Sequence, residues 1–72
     1  MNFALVQKKY PALKAALTRA YNSNDPVKLK KAAETALAFF EENGWPDNWA
    51  LFERAKDDAE FALARERKTL YD

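Results

Sequence analysis

The sequence predicts an all-α fold, a small antiparallel three-helix bundle, from its composition, its apolar spacing and its turn signals. Alanine occurs 14 times and leucine eight times in 72 residues, whereas valine occurs twice and isoleucine never. This composition favours helices, because alanine and leucine cost little in a helix and β-branched residues suit strands. Apolar residues recur at helical spacing in three segments that two short joints separate. Short joints make neighbouring helices antiparallel, so the segments should run up, down and up in one domain.

The first segment is predicted to divide at a proline. Residues 1–9 should form a short helical arm, because Pro11 has no N–H for the carbonyl of Gln7 and its ring crowds that turn. We therefore expect a kink or a break at Tyr10 and a first long helix over about 11–22. The apolar stripe of this helix is Leu13, Ala16, Leu17, Ala20 and Tyr21.

The second helix is predicted over 26–43. It follows the turn residues 22–24, and Asp25 can accept hydrogen bonds from the first free N–H groups. Pro26 suits the first helical position, where no N–H is needed. The predicted core stripe is Leu29, Ala33, Ala36, Leu37 and Phe40, with Ala32 and Phe39 on one flank.

A compact corner should join the second helix to the third. Gly44 is the natural residue after a helix end, because glycine enters positive φ without steric cost. Trp45 should then pack on Phe40, while Pro46 prevents the helix from continuing. Two tryptophans, Trp45 and Trp49, could form a platform for an aromatic or peptide ligand. We favour an apolar corner that holds two helices together, since helix capping already explains one of them.

The third helix is predicted over about 47–67, with Asp47 capping its start. Its apolar face comprises Phe52, Ala55, Ala59, Ala62 and Leu63, and the same register extends to Leu70. Phe61 lies about half a turn away from that face, so it is predicted to be exposed. The chain has no repeat and no linker that could separate domains.

Composition argues against several classes of function. Twelve basic and eleven acidic residues give a net charge of +1, which provides no overall attraction to nucleic acid or anionic membrane. The chain has no His, no Cys and one serine, so we do not expect an enzyme, a cofactor or a zinc site.

Four carboxylates on the third helix could suggest a magnesium or calcium site. Ordinary ion pairs with neighbouring bases explain them better. These carboxylates are Glu53, Asp57, Asp58 and Glu60.

No segment is expected to enter a membrane. The longest apolar runs fall well short of the roughly 18 residues that a membrane span requires. Residues 1–9 lack the charged start and the apolar stretch of a signal peptide. We therefore expect a cytoplasmic protein.

Basic residues gather at one predicted end of the bundle. Lysines in the opening turns of the second helix oppose its dipole, and antiparallel packing should bring the end of the third helix beside them. The residues that could contact an anion or nucleic acid are Lys28, Lys30, Lys31, Arg65, Arg67 and Lys68. Neighbouring acids dilute this cluster, and the first turns of the second helix offer Val27, Leu29 and lysines rather than the Arg, Asn or Gln residues that usually read bases.

These observations favour a non-enzymatic helical module for protein–protein interaction or regulation, which associates with itself as a homodimer or with a protein of unknown identity. Phe61, Trp49 and Phe39 are the candidate contact residues, because a chain of this size has a marginal core and reason to recruit a partner. The alternative is a small regulator that binds or mimics nucleic acid and uses the basic end of the bundle.

Overall fold

A computed structural model describes the backbone of residues 2–71 and the side chains of residues 2–65. It contains three helices, α1 (Phe3–Asn22), α2 (Pro26–Asn43) and α3 (Ala50–Tyr71), and no strand within the described backbone. Helix α2 is central and packs against both of the others. The predicted all-α three-helix bundle is confirmed.

Helix α1 is longer than predicted and continues through Pro11. The expected break at Tyr10, and with it a separate arm over 1–9, is wrong. Pro11 is exposed, so the carbonyl that loses its intrahelical partner lies where water can solvate it. Val6 is 1% exposed, and Leu13 packs against the core on the other side of the proline. Core contacts on both sides therefore keep the helix continuous.

Asn2 fixes the start of α1. Its side-chain oxygen accepts a hydrogen bond from the Leu5 N–H at 3.2 Å, which caps the helix. Its own backbone N–H donates to the carbonyl of Asn43 at 2.7 Å. The second bond ties the start of α1 to the end of α2 and so holds these two helices antiparallel.

Helix α2 begins and ends at the predicted residues. The Asp25 carboxylate accepts hydrogen bonds from the N–H groups of Val27 at 2.9 Å and Lys28 at 3.4 Å. Asn24 precedes it in the left-handed conformation with φ 57°, which asparagine tolerates better than most residues. The turn chemistry read from the sequence is therefore the chemistry that starts this helix.

Gly44 ends α2 with φ 129° and ψ 154°. Its N–H donates to the Phe40 carbonyl at 2.7 Å, and the chain then leaves the helix axis. The predicted contact of Trp45 with Phe40 is confirmed, with ring centroids 6.1 Å apart. Gly44 is nevertheless in an extended positive-φ region rather than the left-handed helical one that the sequence suggested.

Helix α3 begins at Ala50, three residues later than predicted. A turn precedes it, in which the Trp49 N–H donates to the Pro46 carbonyl at 3.2 Å. Within residues 2–65, the Asp47 side chain makes no hydrogen bond that caps the helix. The helix continues past the predicted end near residue 67 to Tyr71, because no glycine or proline follows Pro46 to stop it.

The core follows the predicted stripes except at Tyr21, which is 39% exposed, and it adds residues from the N-terminal half of α1. Among the described side chains, the buried apolar residues are Val6, Leu17, Ala20, Leu29, Ala33, Ala36, Phe40, Phe52, Ala55 and Ala59. Tyr10 joins the three helices, since its ring lies 6.5 Å from Phe40 and 5.9 Å from Phe52. Phe40 and Phe52 are themselves 5.1 Å apart in an edge-to-face arrangement.

Candidate interaction surfaces

Aromatic rings form a continuous chain at the Gly44 corner. Phe39 and Phe40 lie 6.1 Å apart, and Trp45 and Trp49 lie 5.4 Å apart. The contact between Phe40 and Trp45 joins the two pairs. Trp45 is 43% exposed and Trp49 is 38% exposed, whereas Phe39 is half-buried and packs against the core. The predicted contact residues Phe39 and Trp49 therefore belong to one ring chain, in which only the tryptophan end is open to a partner.

Phe61 is the most exposed of the large apolar residues among the described side chains, at 67%. Its ring lies 5.9 Å from the guanidinium of Arg65, one turn further along α3. Among the described side chains, no ring contact joins it to Trp49 or Phe39. The prediction that Phe61 is exposed is confirmed, but the three candidate contact residues do not form a single patch.

Helices α2 and α3 enclose a groove of about 580 Å³ lined mainly by carboxylates, which we call the acidic groove. Its carboxylates are Glu34, Glu41, Glu53, Asp57 and Glu60. Lys56 also lines it, and Trp45 links it to the corner. This groove was not predicted from the sequence, because its acids come from two helices that meet only after antiparallel packing. The available signal was the seven-residue spacing of Glu34 and Glu41, which places both on one face of α2.

The acidic groove has no arrangement typical of a metal site. Among the described side chains, no three His, Cys, Asp or Glu residues converge closely enough to hold an ion. Asp58, one of the four acids of the third helix considered as metal ligands, contacts α1 instead of lining this groove. Its Oδ2 accepts a hydrogen bond from the Tyr21 hydroxyl at 3.0 Å.

The Tyr21–Asp58 hydrogen bond connects the end of α1 with α3. Burial raises the pKa of the Tyr21 phenol, and the hydrogen bond and negative charge of Asp58 raise this pKa further. The positive charge of Arg54 acts in the opposite direction. The phenol therefore stays protonated and can donate to the carboxylate over the ordinary pH range.

Helices α1 and α2 enclose a second groove, of about 360 Å³, which we call the basic groove. Its bases are Arg19 from α1 and Lys28 and Lys31 from α2. Its floor is formed by small side chains, Ala16, Ala20 and Ala32. Alanine keeps the floor close to both helix backbones, so another helix could approach closely.

The predicted basic cluster is divided between faces of the molecule. Lys28 and Lys31 lie three residues apart on one side of α2, whereas Lys30 points toward α3 and pairs with Glu34 at 3.8 Å. Arg65 lies beside Phe61 on α3. The remaining two candidates, Arg67 and Lys68, lie outside the described side chains. The basic groove therefore unites only two of the six predicted residues and adds Arg19.

Tyr10 has an unusual hydroxyl group. The oxygen is buried and has no hydrogen-bond partner among the described residues. The same residue lines a smaller groove of about 240 Å³ between α1 and the corner, with Pro46 and Asn48 among its other walls. A buried polar group without a partner is uncommon and costs stability.

Comparison with protein-family models, with curated proteins and with solved structures finds no match to this chain. Within the described residues, no helix is long and apolar enough to cross a membrane. The arrangement of side chains is therefore the basis for any statement about function.

Proposed function

We propose that this chain is a non-enzymatic helical interaction module that binds protein, including a second copy of itself, through the exposed surface of α3. The observation that carries the proposal is the 67% exposure of Phe61. A phenylalanine costs free energy when it remains in water, and burying it at an interface gains roughly 1.5–3 kcal/mol. The cytoplasmic location expected from the sequence remains part of this proposal.

Two further features support a role in protein binding. Trp45 and Trp49 remain partly exposed beside the acidic groove, and aromatic residues are enriched at protein interfaces. The molecule is also thin, with extents of 48 × 20 × 15 Å, so much of each helix lies at the surface. Association would bury apolar surface that a core of this size leaves in water.

Nucleic-acid binding is less well supported. Lys30 lies on a different side of α2 from Lys28 and Lys31. This separation reduces the number of basic side chains that one nucleic-acid backbone could contact. Among the described side chains, no aromatic ring lines the basic groove, and proteins that bind single strands usually stack bases on such rings.

Sedimentation equilibrium of Phe61→Glu tests the proposal. We expect the wild-type chain to show an average mass that rises with concentration, and the variant to remain close to the monomer mass. Phe3→Glu is the matched control, because Phe3 is 54% exposed but belongs to α1, beside the end of α2, rather than to α3. It should associate like the wild type.

The comparison requires that both variants keep the helix content of the wild-type chain. Circular dichroism measures this content. If Phe61→Glu and the wild-type chain have the same mass at every concentration, the proposed role of Phe61 is wrong. If added double-stranded DNA binds the chain with a steep salt dependence instead, the nucleic-acid alternative replaces it.

A further inference from the structure

We propose that the exposed surface of α3 in one copy docks into the basic groove of the next copy, so that the chain associates head to tail. This inference rests on the proposed self-association and specifies its geometry. The two surfaces differ from each other and lie on different sides of one molecule, since the groove is formed by α1 and α2.

The basic groove provides the receiving surface. Within residues 2–65, none of Arg19, Lys28 and Lys31 forms a salt bridge. Their positive charges therefore surround an alanine floor that no carboxylate of the described residues lines. Such a groove favours an occupant that is narrow, helical and acidic.

The surface of α3 has the matching features. Glu53, Asp57 and Glu60 are exposed and recur at i, i+4 and i+7, so they form a carboxylate stripe along one side of the helix. Phe61 lies four residues after Asp57 and therefore borders this stripe. A helix docked by this surface would place an aromatic ring over the alanine floor and carboxylates beside the three bases.

Charge complementarity selects a second copy as the occupant. The carboxylate stripe has three negative charges, and the basic groove has three positive ones. The one salt bridge among the described residues, Lys30 to Glu34, involves neither set. Arg54 and Arg65 lie on the side of Phe61 that is away from the carboxylate stripe. Only the stripe side of α3 can therefore face the basic residues of the groove.

This interface is heterologous, because each copy contributes a different surface. A heterologous contact leaves one groove and one stripe free at the ends, so association continues unless the rotation closes a ring. The average mass should rise without stopping at the dimer, and it should fall as salt screens the charges.

Charge reversal on each surface separates this geometry from other modes of association. The groove variant combines Arg19→Glu with Lys31→Glu, and the stripe variant combines Glu53→Lys with Asp57→Lys. Each variant alone should associate at least about tenfold more weakly than the wild type, because like charges would face each other. An equimolar mixture should recover association and grow beyond the dimer, because the native stripe of the groove variant faces the native groove of the stripe variant, and the reversed stripe faces the reversed groove.

Opposite charges meet at both kinds of contact in that mixture, so copies of the two variants should alternate along the assembly. The chain that contains all four substitutions should recover association, because its reversed stripe faces a reversed groove. Circular dichroism verifies that all variants keep the helix content of the wild type.

The outcomes distinguish the two proposals. If the groove variant associates as strongly as the wild type while Phe61→Glu does not, head-to-tail docking is wrong and self-association through Phe61 stands. If the equimolar mixture remains monomeric, the docking geometry is also wrong. A wild-type chain that is monomeric at every concentration overturns both proposals.

Discussion

Gly44 is the residue whose backbone most tightly restricts the choice of side chain. Its φ of 129° with ψ of 154° lies in a region that is essentially limited to glycine, and the residue is buried beneath the corner. We predict that Gly44→Val lowers the free energy of unfolding by about 1–3 kcal/mol, as measured by urea denaturation.

Asn24 offers the matched control for Gly44, because it is the other described residue with positive φ. Its φ of 57° lies in the left-handed region, which glycine adopts freely. Asn24→Gly should therefore leave stability within about 0.5 kcal/mol of the wild type. If Gly44→Val is equally neutral, α2 does not end at this residue.

Tyr10 combines a favourable ring with an unfavourable hydroxyl group. The ring contacts Phe40 and Phe52, but the buried oxygen has no partner among the described residues. Tyr10→Phe keeps the ring contacts and removes the unsatisfied group. We predict that it raises the free energy of unfolding by about 1 kcal/mol in urea denaturation.

The contrasting substitution is Tyr21→Phe, which removes a hydroxyl that does donate a hydrogen bond, to Asp58. It should lower stability by roughly 0.5 kcal/mol, a small loss because the pair is exposed. A loss of stability in Tyr10→Phe would mean that its hydroxyl has a partner in solution.

At the scale of elements, a side chain determines the start of α2 but not the start of α3. Asp25 starts α2 with two hydrogen bonds to backbone N–H groups, whereas α3 begins at Ala50 after a turn held by backbone contacts. We predict that Asp25→Ala lowers the free energy of unfolding by about 1 kcal/mol. Asp47→Ala should change it by less than about 0.5 kcal/mol.

Equal losses in thermal or urea unfolding for these two variants would contradict this assignment. They would indicate that Asp47 caps α3 after all, as its position after Pro46 in the sequence suggested.

Local signals predicted α2 better than the other two helices. Both ends of α2 depend on residues adjacent in sequence, a cap and a proline at one end and a glycine at the other. The path of α1 through Pro11 depends instead on whether residues on both sides of the proline reach the core. That condition is set by tertiary packing, which overrides the local cost of the proline.

At the scale of the whole molecule, the surfaces were less predictable than the core. The exposure of Phe61 followed from helical periodicity alone, because it needs only its own helix. The two grooves required the relative rotation of neighbouring helices, which no single segment encodes. This is why Lys30 was grouped with Lys28 and Lys31, although α2 presents it to α3.

The charge distribution of the molecule also differs from the expected one. The sequence suggested a basic end of the bundle, whereas the grooves place opposite charges on different sides of α2. A difference between sides, rather than ends, allows neighbouring copies to meet along their lengths. It should also make the proposed self-association sensitive to ionic strength.

The central claim is that α3 presents a docking surface for another copy of this chain. Backbone amide chemical shifts measured over a dilution series test it most directly, because they locate every residue affected by association. We predict concentration-dependent shifts in two separate sets, one around Phe61 and one around Arg19 and Lys31, and their loss in Phe61→Glu. Amide shifts that stay constant across the dilution series would contradict the claim.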